Sequence, residues 1–229
     1  MSHEAFTVFD ELLRAPKASA ERAQSGGDQR PLVLAALLAI VAGAGIFGGV
    51  LATSRGGAQL FFSAIKLPGA LLGTLVLVVP AFYTIAASLG RKLTPSGMIA
   101  LTLAGAARAA LVLLALAPVV WFAFDAGLGY HHGILLAAAC YAAAGLAALR
   151  LIWNGLGRDF RSIVMIACFG AVLAPVGGQV AWLLRPFLGR PAQTEVPFFR
   201  HRESSFIDSM DRSLRSSRGY YDRVEGAVR

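Results

Sequence analysis

The sequence predicts an all-α membrane protein: a polytopic helical bundle of about five transmembrane helices, with amphipathic helices in both tails. Three observations carry this. Hydrophobic residues fill 56% of the 229 positions and charged ones only 15%, where a soluble domain carries about 25% charged. Five apolar runs reach the roughly 20 residues that a helix needs to cross a hydrocarbon core about 30 Å thick. Those runs must be helical, because an open strand edge cannot survive in lipid.

The elements follow in order. Residues 1–30 form a polar tail containing "HEAFTVFDELLRAPKA", where Phe6, Phe9 and Leu13 recur at helical spacing beside Val8 and Leu12. This reads as an amphipathic helix ended near Pro16. The tail lacks the pattern of a cleavable signal peptide, so the first apolar run is expected to be a retained signal anchor. That run, 31–52, opens on Pro31, whose missing N–H costs nothing at a helix start. Gly56 and Gly57 end it. The next stretch, 53–69, mixes Leu60, Phe61, Phe62 and Ile65 with Gln59, Ser63 and Lys66. Such a mixture suits a short helix at headgroup depth, with a partly re-entrant loop as the alternative. The remaining spans are 67–89, 98–124, 133–153 and 163–184, with Pro80 and Pro118 expected to kink two of them.

The transmembrane domain thus covers 31–191, followed by an Arg-rich tail, 192–229. In that tail Ser205 and Asp208 resemble a capping box, and Phe206 or Ile207, Met210 and Leu214 form one apolar stripe. Gly45 and Gly49 show GxxxG spacing, and small residues cluster around Gly105 and Gly145. In lipid such residues let helices pack closely, which predicts a compact bundle and allows a homo-oligomer or a membrane-protein partner. No internal repeat of the kind that marks inverted-repeat transporters is visible.

The net charge is +8, but the basic residues flank apolar runs. Membrane lipids with anionic headgroups are therefore the expected partner, not nucleic acid. Arg91, Lys92, Arg158 and Arg161, with Arg150 at the end of a span, fall on one side, while the loop "DAGLGYHHG" has no Lys or Arg. The positive-inside rule then puts the N-terminus in the cytoplasm of a multi-pass cell (inner) membrane protein. Arg55 and Lys66 oppose this, and five spans leave the Arg-rich tail outside.

The polar residues of the apolar runs are the candidate binding positions. Arg108 is a charge inside the third run, which costs at least about 2.5–3.5 kcal/mol at mid-bilayer. Either it faces inward and holds an anion, a lipid phosphate or a Gln carbonyl, or the true crossing starts at Ala109 and Arg108 snorkels to the interface. Gln179 can bond across helices or line a pore. Trp182, Arg185 and Phe187 resemble an interface anchor. Lys66 joins Arg108, Gln179 and Arg185 as a candidate contact for a lipid headgroup or another anion. Asp125, His131 and His132 are the candidate metal or proton-sensing groups, although neighbouring histidines point apart on a helix. Cys140 and Cys168 read as small core residues. No cofactor is indicated. Neither HExxH, GxSxG nor paired carboxylates occur, so an enzyme is not expected.

The stretch Leu75–Pro118, "LVLVVPAFYTIAASLGRKLTPSGMIALTLAGAARAALVLLALAP", resembles the Yip1-type membrane domain. It has a helix ending in Leu-Gly, a short polar turn, and a span of small residues leading to Pro. The resemblance covers about a fifth of the chain. "SAIKLPG" and "WLLRPFLGRP" fall outside the pattern. It implies a helical membrane protein with a cytosolic N-terminal tail, five spans and no catalytic site, acting with partners in membrane organisation. A transporter or channel subunit, with a polar path lined by Arg108 and Gln179, is the alternative.

Overall fold

Five helices long and apolar enough to cross a membrane make up most of the structure, a computed structural model that describes residues 3–184 except 26, 92 and 158. Arg185 and the predicted C-terminal helix lie outside the described residues. Among the described residues every regular element is helical. They are α1 (His3–Arg14), α2 (Pro16–Gln24), α3 (Arg30–Ala39), a π-helical turn (Ile40–Ala44), α4 (Gly45–Leu51), α5 (Ala58–Ser88), α6 (Pro95–Asp125), α7 (Tyr130–Leu156) and α8 (Phe160–Leu184). The first crossing is α3, the π turn and α4 in series, Arg30–Leu51. The chain is an all-α polytopic bundle, as its composition predicts.

Short connections make successive spans antiparallel. The connections after α2, α5 and α7 therefore share one end, and those after α4 and α6 share the other. Central α6 packs on the first crossing, on α7, and on α1 and α2. Its apolar window is 56% buried, against 11% for α8. The latter leans on α5, where the Phe82 and Phe169 rings stack with centroids 4.0 Å apart.

Small residues set the helix spacing, although of the GxxxG pair only Gly45 takes part. A Cβ added to Gly48 would lie 2.4 Å from the Ser63 carbonyl oxygen, and one on Gly43 would lie 2.7 Å from that of Ala110. Gly49 meets nothing. The contact face is therefore Gly45 and Gly48 toward α5, with Gly43, in the π turn, against α6.

The stretch 53–69 is also different from expectation. Gly57, at φ 62°, starts α5, which then runs unbroken through Pro68. Gln59, Ser63 and Lys66 sit at i, i+4 and i+7, so all three fall on the buried face toward α4 instead of facing headgroups. The N-terminal helix forms and ends before Pro16, but its buried stripe is Val8 and Leu12, while Leu13 is 48% exposed. Helix α2 has no counterpart in the sequence reading. It buries only Ser19, Ala20 and Ala23, too small to give a periodic apolar signal.

Candidate functional site

Helices α1 and α2 fold back as a hairpin along α6. Its arms are joined by Glu11 and Arg22: Arg22 Nε and Nη2 each donate to a carboxylate oxygen of Glu11 at 2.9 Å. The second arm runs antiparallel to α6. The Ala23 carbonyl faces Gly97, and Ala20 and Leu101 both crowd Gly155 of α7. Gln24 donates through Nε2 to the Gly155 carbonyl, and Gln29 Nε2 donates to the Ala23 carbonyl at 2.8 Å. These contacts leave the hairpin tip, residues 12–16, beside the middle of α6.

There it meets Arg108. A helix carbonyl accepts from the N–H four residues on, and for Leu12 that residue is Pro16, which has none. Arg108 Nη1 supplies the missing donor, at 2.9 Å from the Leu12 carbonyl and 3.2 Å from that of Leu13. A cation at the C-terminal end of a helix also suits its dipole. The charge that looked anomalous in an apolar run thus caps another helix.

The neighbouring connections are joined as well. Arg91 Nη2 reaches both the Asp159 carboxylate and the Ser162 hydroxyl, and that hydroxyl lies 2.9 Å from the Leu156 carbonyl. The Ser162 hydroxyl, helped by backbone N–H and by Arg91, holds the exposed Asp159 carboxyl below the usual carboxylate range. An open cleft of about 590 Å³ lies nearby, lined by Asp28, Arg30, Thr94 and Ser96 among others. None of the predicted site residues within the described residues borders it.

Lys66 is 2% exposed, toward the opposite end, on the stripe with Gln59, Ser63 and Thr74. Gln59 Nε2 donates to Ser63 Oγ at 3.1 Å, and the Thr74 hydroxyl donates to the Ala70 carbonyl at 2.7 Å, beside Gly177 of α8. Gln179 is exposed on α8, which packs on α5 and α7. Arg108 and Gln179 therefore do not come together. Asp125 and His132 are exposed, whereas His131 is half-buried with its ring 5.4 Å from Tyr130. Among the described residues no three His, Cys, Asp or Glu side chains are grouped to hold a metal. Cys140 is buried, but Cys168 is exposed and so is not a core residue; both are free thiols.

Comparison with known protein families, curated proteins and solved structures finds no match. The geometry alone bears on function. Its central feature, the Arg108 cap, was missed by sequence reasoning, although one signal was available: Pro16 orphans a carbonyl that some donor must satisfy.

Proposed function

We propose that this chain is a non-enzymatic, multi-pass inner-membrane protein that acts as a membrane-organising scaffold or assembly partner, in the manner the Yip1-type resemblance implies. The observation that carries the reading is the commitment of Arg108 to the hairpin tip. The cation that would line a polar path instead fixes a charged helical pair to the bundle.

The hairpin end carries Arg14, Lys17, Arg22, Arg30, Arg91 and Arg161, while the opposite end carries Arg55. By the positive-inside rule the hairpin end is cytoplasmic, where the outer face of α2 is available to a protein partner.

One observation favours the competing reading, a transporter or channel subunit: the Gln59, Ser63, Lys66 and Thr74 stripe is buried within a span, where polar groups often mark a pathway. Two measurements separate the readings. For a scaffold, the gently solubilised chain migrates as an assembly larger than itself, and deleting residues 3–24 reduces its size. For a transporter, reconstituted vesicles show solute flux that Arg108→Leu abolishes, a result that would overturn the scaffold reading.

A further inference from the structure

We propose that the charged face at the tip of the α1–α2 hairpin is covered, inside the bilayer, by a span of a second, different membrane protein that carries a carboxylate level with Arg108. The inference names the class of partner for the scaffold reading and rests on that reading.

The depth of the tip follows from the first crossing. Arg30–Leu51 has 22 residues, about 33 Å of helix for a core of about 30 Å, so nearly all of it is needed to cross. Leu34 and Leu38, 61% and 60% exposed, lie in its first half and face lipid. Gly43, about 20 Å along the crossing, packs against the Ala110 carbonyl of α6. Arg108 stands just before Ala110 and so lies close to the bilayer midplane. It holds the hairpin by the Leu12 and Leu13 carbonyls, which puts the tip at the same depth. The hairpin therefore enters from the cytoplasmic end and stops in the bilayer interior.

Arg14 and Lys17 flank the tip with side chains 82% and 79% exposed. Hydrocarbon does not solvate such charges, and the membrane surface is farther off than either side chain can reach by snorkelling. A polar surface must lie against them, and charge decides which kind. Asp10 pairs with Arg14, Glu21 with Lys17 and Glu11 with Arg22. Arg108 has no ion pair among the described residues, and its carbonyl partners leave its charge uncompensated. One positive charge at the tip is left over, which a carboxylate on a neighbouring span would neutralise. A second copy of this chain does not suit the face. Two copies inserted in the same sense meet level with level across a two-fold axis, which sets Arg14 and Lys17 against their own counterparts.

The test is photocrosslinking in living cells, with the full chain carrying a photoreactive amino acid at Leu13, exposed at the tip, or at Val76, exposed on α5. From Leu13 the chain should join to another membrane protein, and mass spectrometry should place the joined peptide in an apolar run containing Asp or Glu. From Val76 that adduct should be missing. Arg14→Glu combined with Lys17→Glu, exposed substitutions that leave the Arg108 cap in place, should cut the yield about tenfold, as loss of charge-assisted contacts implies. A joined peptide from this chain itself, from a soluble protein or from a span without a carboxylate would overturn the proposal. So would labelling of lipid alone, no adduct, or a yield unchanged by the charge reversal. If the chain still migrates as a larger assembly in that event, the scaffold reading survives; if it migrates alone, both fall.

Discussion

Replacing Arg108 by Met keeps the apolar stem and removes the donor that holds the hairpin tip. The two bonds it forfeits differ in weight. The one to Leu12 is part-buried and charge-assisted, and the acceptor left behind has no local N–H because Pro16 follows. The one to Leu13 is exposed, so water replaces it. Charge-assisted bonds contribute about 1.5–3 kcal/mol, so hairpin docking should weaken by about 2 kcal/mol. Undocked population then rises about 30-fold, which amide hydrogen exchange of residues 3–24 in nanodiscs would report as faster exchange confined to α1 and α2. A cycle with Pro16→Ala sharpens the test. That substitution restores an N–H for the Leu12 carbonyl, so Arg108→Met should cost about half as much or less in that background. Unchanged protection in Arg108→Met would refute the cap, and an equal penalty in both backgrounds would refute its explanation by proline.

Other expectations concern the bundle. Gly48→Ala drives a methyl into the Ser63 carbonyl, where backbone must move, and should destabilise by about 1–3 kcal/mol in thermal unfolding; Gly49→Ala, facing open space, should be silent. Gln179→Leu, on the exposed face of α8, should change stability by no more than about 0.5 kcal/mol; a large loss would mean that Gln179 bonds across helices after all. Asp159 has a lowered pKa, so its contribution is present above its ordinary value near 3.8 and is lost as pH falls through the folded value. The melting temperature of Asp159→Asn should therefore lie below that of the native chain at neutral pH and converge with it in acid. A gap that persists in acid would contradict the assignment.

The spans were legible because apolar composition over 20 residues leaves little choice, and their order and number follow from it. Details set by a partner helix were not. Lys66 looks like a headgroup contact in one dimension, but its spacing from Gln59 and Ser63 puts it against the glycine face of α4. Likewise Gly45 and Gly49 match a packing motif, yet Gly45 and Gly48 carry the contact with α5 while Gly49 faces open space. Arg108 was legible as an anomaly in an apolar run. Its protein partner, 96 residues away in sequence, has no local signature beyond Pro16. The second helical arm hides for a different reason: alanines and a serine bury little area, and their value appears only where α6 and α7 leave a narrow groove.

The most direct test of the account is the sidedness of single cysteines. In chains with Cys140 and Cys168 replaced by Ala, cysteines at Ser25, Gly90 and Gly157 report one end of the bundle, and those at Gly56 and Gly127 report the other. A membrane-impermeant maleimide applied to sealed inside-out vesicles should label the first three and spare the last two, giving the first four crossings with the hairpin end in the cytoplasm. Labelling of Ser25 together with Gly56, or of Gly90 without Gly157, would contradict it.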